Sequence, residues 1–131
     1  MIRISTSQSE ELVDITDEVD AVVRKSGVKE GLINIFVPHA TAALIVNENH
    51  DPNVVVDLLK KVNDLIPLHD NYLHDRVDNN AAAHIKASIF RPEMTLQIRD
   101  GKLLLGTWQQ LMLADFDGPR ERRIETMIVE K

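Results

Sequence analysis

Five histidines and no cysteine frame the chemistry open to this chain. Without thiolates there are no disulfides, no sulfur-ligated metals and no cysteine nucleophile. Imidazole suits zinc, copper, iron and nickel, so a metal site is the first possibility to weigh. The residues are His39, His50, His69, His74 and His84. No two of them form the close helical pair that is diagnostic by itself. His39 follows an apolar run and Pro38, His74 lies in a polar stretch, and His84 lies in an alanine-rich one. Three ligands from three separate elements can converge on one cation and leave a position open for water or substrate. The competing reading is that each imidazole is a surface or singly bonded residue.

The acids and amides come in short blocks. Asn47-Glu48-Asn49-His50-Asp51 leaves the apolar run 42–46. Glu48 there is either a general base and ligand or a neighbour of the helix-capping turn that Asp51 makes. Asp78-Asn79-Asn80 precedes the alanine-rich segment, where it caps a helix or helps its start hold an anion. His84 and Ser88 are four apart and share a helical face, whereas Lys86 points elsewhere and reads as a solvated or interface residue. Gly106-Thr107-Trp108-Gln109-Gln110 holds the only tryptophan, which either packs in the core or walls a pocket. Asp117-Gly118-Pro119-Arg120 is a turn, and an arginine held on a turn can clamp a phosphate or carboxylate with two prongs. No glycine-rich phosphate loop, dinucleotide fingerprint or serine-nucleophile motif is present.

These residues must be held by one small scaffold. The chain has 131 residues, 44% hydrophobic and 27% charged, as expected of a single domain over residues 1–131. Fifteen Lys and Arg stand against 21 Asp and Glu, a net charge of −6. Nucleic-acid binding is not expected, because the densest basic cluster, Arg120-Glu121-Arg122-Arg123, is short and broken by an acid. No apolar run approaches the roughly 18 residues of a membrane helix. The first residues lack a signal peptide's apolar stretch, so the expected location is the cytoplasm. Strands are expected at 2–7, 10–15, 31–37, 42–46, 94–99, 102–107, 111–116 and 124–129. Helices are expected from Thr16 to Gly27, from Asp51-Pro52 to Pro67, and from Asn79 to Ile89. Residues 68–78 read as a loop, and Asp100-Gly101 as a type I′ hairpin turn. The 31–37 and 42–46 runs are apolar on both faces, which predicts strands buried on both sides. The fold class is therefore α+β, with a mostly antiparallel sheet and about three helices.

Several blocks taken together resemble one family. They are Pro38-His39-Ala40-Thr41-Ala42-Ala43-Leu44, Asn47-Glu48-Asn49 with Asp51-Pro52, Tyr72 to His74, and Asp78-Asn79. Ala83-His84-Ile85-Lys86-Ala87-Ser88, Leu105-Gly106-Thr107-Trp108-Gln109 and Phe116-Asp117-Gly118-Pro119-Arg120 complete the set. In this order they are similar to the YjbQ-like family, also called secondary thiamine-phosphate synthases. The resemblance runs from about residue 30 to the C-terminus.

The resemblance implies a β-sandwich-like core and a homotrimer. It implies a divalent metal held by His39, His74 and His84, zinc-like by its ligands, with Mg²⁺ as the ion that usually serves diphosphates. It assigns Glu48, Asp78 and Lys86 to catalysis, and Asn47, Asn79, Thr107, Gln109 and Arg120 to binding a small phosphorylated substrate. The implied reaction joins hydroxymethylpyrimidine diphosphate to thiazole phosphate and releases pyrophosphate. Two other readings stand beside it: a metal-dependent hydrolase with Glu48 as base, and a non-catalytic trimer that binds a metal or an anion. The sequence departs from the family pattern at Ala40, usually Ser or Thr, and at Gln110, usually Gly.

Overall fold

The computed structural model describes all 131 residues. Eight strands run in the order β1 (Ile2–Ser5), β2 (Glu11–Asp14), β3 (Gly31–Phe36), β4 (Ala42–Asn47), β5 (Glu93–Arg99), β6 (Lys102–Leu103), β7 (Gln110–Asp115) and β8 (Glu121–Glu130). Helix α1 (Thr16–Ser26) lies between β2 and β3, while α2 (Pro52–Leu65) and α3 (Ala81–Phe90) lie between β4 and β5. The α+β class and the antiparallel pairing are as the sequence predicts.

Two sheets form. One has five strands in the order β1-β8-β3-β5-β6, the other three in the order β2-β7-β4. Strand β8 is long enough to serve two partners: residues 121–124 pair with β1 and 125–130 with β3. A first core fills the space between the sheets, with Ile33, Ile35, Leu44, Leu111, Leu113 and Ile124 among its buried residues, and Val19 and Val23 of α1 join it. A second core lies on the far side of the small sheet, where Ala43, Ile45, Met112 and Ala114 meet Ala83 and Ala87 of α3 and the half-buried Leu58 and Leu59 of α2. The small sheet is thus covered on both faces, which explains why β4 and β7 carry apolar residues without alternation. Small alanines on α3 and β4 let that helix lie close to the strand.

Strand β3 differs from expectation. Ile33 and Ile35 are buried, but Leu32 is 45% and Phe36 41% exposed. With Met127 and Val129 on β8 they leave an apolar outer face on the large sheet in the single chain.

The helix boundaries have local causes. Asp51 caps α2 by accepting from the Asn53 N–H at 2.9 Å, with Pro52 in the first turn. Gly27 ends α1 in the left-handed conformation at φ 76°. Asp100 and Gly101 both have positive φ, as a type I′ hairpin between β5 and β6 demands. Two caps depart from the sequence reading. Ile15, not Thr16, precedes α1, and the Thr16 hydroxyl instead accepts from the Leu111 N–H at 2.9 Å and joins helix to β7. Neither Asp78 nor Asn79 caps α3. Its first N–H, that of Ala81, is satisfied by Asp75 at 3.1 Å, from a short 3₁₀ turn (Leu73–Arg76) inside the expected loop.

Candidate functional site

Strand β4 sorts the candidate residues. His39, Ala40 and Thr41 enter it, while Asn47 and Glu48 leave it. Its partner β7 runs the other way, so Gln110 lies opposite Asn47 and Asp115 opposite Ala42. The two ends of this ladder are roughly 17 Å apart at a strand rise of about 3.3 Å per residue. The residues expected to share one pocket therefore fall into two groups.

At the entry end, His84, Asp78, Asn80, Thr41, Asp117 and Arg120 line a polar hollow of about 440 Å³. The His74 and His84 rings meet edge to face with centroids 4.9 Å apart, and His74 Nε2 lies 3.6 Å from an Asp78 carboxylate oxygen. A second, apolar hollow of about 420 Å³ adjoins the same two rings, walled by Tyr72, Leu73, Ala81 and Ile85. Tyr72 is held by its hydroxyl, which donates to the Pro67 carbonyl at 2.8 Å. Desolvation, with Asp70 and Asp75 nearby, raises its phenol above the ordinary range.

His39 borders a hollow with His84 and Ser88, but its Nε2 accepts from the Arg123 N–H at 2.9 Å. Partial burial and the charges of Arg122 and Arg123 hold its imidazole below the usual pKa, so the neutral ring is favoured. The neutral ring with Nε2 as acceptor carries its proton on Nδ1. Metal ligation by His39 would require giving up the backbone bond or that proton. The donors at hand for a cation are His74, His84 and Asp78. Two imidazoles and one carboxylate are donor types that a zinc-like ion takes, but as they stand the three are not gathered into a coordinating group.

Beneath this end lies a buried charge network, the part that sequence reasoning missed. Asp115, fully buried, accepts from Arg122 at 2.6 Å, from Thr6 Oγ1 at 2.6 Å and from the Asp117 N–H at 3.0 Å. Burial pushes its carboxyl up, but these hydrogen bonds outweigh it and hold the group below the usual carboxylate range. Arg122 also donates to Thr41 Oγ1 at 2.8 Å. The Thr6 hydroxyl accepts from the Arg120 N–H at 2.9 Å. The network thus pins both the Thr41 wall and the 117–120 turn. Arg120 itself is steadied by Asp117, through its carbonyl at 2.6 Å and its carboxylate at 3.0 Å. Buried Arg122 sits on the inward face of β8, and the alternation of that strand was the available signal.

At the exit end, Asn47 and Glu48 are joined by the Glu48 N–H donating to Asn47 Oδ1 at 2.7 Å. Gln109 accepts from the Gly106 N–H at 2.7 Å, closing the turn that carries Thr107 and Trp108. Trp108 is not core: it is 58% exposed, with the His50 ring 5.4 Å away.

Lys86 belongs to neither group. It is 1% exposed, which corrects its reading as a solvated or interface residue. Its ammonium donates to Glu10 at 2.6 Å and to Asn63 at 2.6 Å, and lies 5.8 Å from the centre of the Phe116 ring. Glu10, Asn63 and Asn79 line a further cleft of about 470 Å³, separated from the histidine hollow by Asn80 and Asp117, whose side chains are joined at 2.9 Å. There Asn79 stands away from His84.

The comparisons with known proteins agree with this architecture along its whole length. The family model described as "UPF0047 protein YjbQ-like" matches residues 1–131. This chain belongs to the UPF0047 YjbQ-like family. A UPF0047 protein of Methanocaldococcus jannaschii is 44% identical, over 97% of this chain and 91% of its own. The family protein YugU of Bacillus subtilis is 37% identical, over 92% and 91% of the two chains. Among solved structures, a YjbQ/UPF0047 family protein of Clostridium acetobutylicum superposes with a TM-score of 0.94 at 40% identity, covering 98% of each chain. A protein of Sulfolobus solfataricus does so with a TM-score of 0.94 at 42% identity, over 99% of this chain and 94% of its own. No helix of the chain is long and apolar enough to cross a membrane.

Proposed function

We propose that the hollow beside His84 is the reaction site of a homotrimeric transferase with thiamine-phosphate synthase-like activity. The observation that carries this reading is the polar hollow that His84, Asp78 and Arg120 line together, with the His74 ring against His84 and 3.6 Å from Asp78. His74, His84 and Asp78 would hold a zinc-like divalent cation, with His39 a neutral neighbour. Such a cation supplies positive charge to a departing pyrophosphate.

Charge counting supports a cation. With neutral imidazoles, the hollow presents two carboxylates, Asp78 and Asp117, against one guanidinium, Arg120. That balance repels a bare diphosphate, and a divalent ion reverses it. Arg120, set on a turn that Thr6 and Asp115 fix, orients a phosphate oxygen through its exposed guanidinium edge. In the reaction the bond from the pyrimidine methylene to the diphosphate breaks, and the methylene bonds to the thiazole nitrogen. Lys86 takes no part in this scheme, because both of its short bonds are internal.

The test is product analysis. Protein loaded with zinc or magnesium, given hydroxymethylpyrimidine diphosphate and thiazole phosphate, is expected to yield thiamine phosphate and pyrophosphate, and His84→Ala to lose that yield. Phosphate release from either substrate alone, with no joined product, would favour the hydrolase reading. A hydrolase could not use Glu48 of the same chain, which leaves the far end of β4; Asp78 and Asp117 are the carboxylates within the hollow.

A further inference from the structure

Lys86 is a buried charge that the proposed reaction leaves unused, and its partners Glu10 and Asn63 face a cleft outside the histidine hollow. The cleft, of about 470 Å³, lies between α2, α3 and the turn after β7. Small-molecule sites commonly span about 300–1,000 Å³. We propose that this cleft is a second small-molecule site, one that binds a flat ring carrying an amine or amidine. The proposal goes beyond the reaction above and does not depend on it.

The hydrogen-bonding groups of the cleft select this ligand. Glu10 and Asp117 line it with side chains 20% and 25% exposed, and no Lys, Arg or His lines it. Lys86, buried behind Glu10, fixes that carboxylate without reaching the cleft itself. A carboxylate oxygen accepts up to two hydrogen bonds. Each Glu10 oxygen takes one, from Lys86 Nζ at 2.6 Å and from Asn63 Nδ2 at 2.9 Å. Asp117 takes its side-chain bonds, from Asn80 and Arg120, on Oδ2 alone, so Oδ1 is free. Asn80 Oδ1, in a residue that walls the cleft, is buried with no partner. Donors are scarcer. Asn63 Nδ2 already gives both hydrogens, to Glu10 and to the Leu59 carbonyl. Such a lining calls for a ligand rich in N–H donors, because unmet acceptors are costly to cover. An anion is repelled by the two carboxylates. The rest of the lining is apolar, from Leu59, Leu68, Ala83 and Phe116, and suits the faces of a ring.

The test compares benzamidine with benzoate, two probes of one shape and opposite charge, by heteronuclear NMR of isotope-labelled protein without metal. Millimolar benzamidine is expected to shift the side-chain amide signals of Asn63, Asn79 and Asn80 in a saturable way, and benzoate to leave them in place. Leu68→Trp, which fills the cleft from an exposed position, is expected to abolish the shifts, and His84→Ala to leave them unchanged. Lys86→Met frees an oxygen of Glu10 and removes the opposing charge, so benzamidine should bind at least about threefold more tightly. If Lys86→Met proves unstable, the probe pair and Leu68→Trp still decide the matter. Benzoate binding as well as benzamidine would reduce the cleft to an apolar patch and overturn the proposal. So would shifts centred on His74 and His84, shifts that survive Leu68→Trp, or the lack of any saturable shift. These readouts need neither zinc nor turnover. An inactive protein that binds benzamidine in this cleft removes the proposed reaction and keeps the site, and an active protein that does not bind it does the reverse.

Discussion

Asp115→Asn is the substitution on which the energetic account can be judged. The change is nearly isosteric and can keep the hydrogen-bond pattern. The amide oxygen can face Arg122 and the Asp117 N–H, and the amide nitrogen can donate to Thr6, whose hydroxyl then donates to the Arg120 carbonyl it already faces at 3.1 Å. What is lost is the negative charge beside Arg122, a guanidinium that is 3% exposed and has no second carboxylate partner. Removing one partner of a buried ion pair costs about 3–5 kcal/mol. In a domain of this size that lowers Tm by about 10–15 °C. Thermal unfolding followed by circular dichroism reads the shift directly. The pH dependence supplies its sign. Asp115's folded pKa is lowered, so its contribution is complete above the unfolded value near 4 and fades as pH falls through the folded one. The Tm gap between parent and variant should therefore be full at pH 6 and narrow below about pH 4. The double variant Asp115→Asn, Arg122→Met should recover part of the loss, since no unpaired charge then remains. A variant within about 3 °C of the parent at pH 6, roughly 1 kcal/mol in such a domain, would refute the reasoning.

Three further outcomes are expected. His39 has a lowered pKa in the folded chain, so its neutral ring stabilises the fold above about pH 6.5, and that stability is lost as pH drops below this value. His39→Gln should flatten the Tm profile just below about pH 6.5, where the unfolded imidazole charges while the native one is still neutral. A Cβ on Gly118 would collide with the Gln8 carbonyl and lie 2.9 Å from Asp115 Oδ2. Gly118→Ala should thus cost about 1–3 kcal/mol by denaturant titration, because backbone cannot step aside as a side-chain tip does. Lys86→Met should lower stability by about 1–3 kcal/mol, since it leaves Glu10 unpaired at a half-screened site. It should leave zinc binding, measured by calorimetry, unchanged.

The parts of this molecule that follow local rules were readable from residue order. Asp51-Pro52, Gly27 and Asp100-Gly101 each set their own backbone, and the structure keeps all three features. The β4 run is apolar on both faces because two cores sandwich it, and sequence alone foretells that burial. The same argument fails for β3. Leu32 and Phe36 look like core by type, yet in one chain only Ile33 and Ile35 find partners. Long-range pairings were not legible. Nothing near Lys86 in sequence announces Glu10 and Asn63, and nothing near Asp115 announces Thr6. Those contacts form only when three elements pack. The capping of α3 by Asp75 was likewise hidden behind the nearer Asp78 and Asn79. As for the site, residue types supplied the candidates, but order along the chain says nothing of which end of a strand a block occupies. The register of β4 on β7 supplies that, and it splits the candidate residues in two.

The central claim is that His74 and His84, with Asp78, hold a divalent cation beside Arg120. Calorimetric titration of zinc into metal-free protein tests it most directly, with His74→Ala, His84→Ala as the paired variant and His50→Ala, His69→Ala as the control. The account predicts one ion per chain in the parent and the control, and its loss in the paired variant. Uptake that survives the loss of both His74 and His84, or no uptake by the parent, would contradict it.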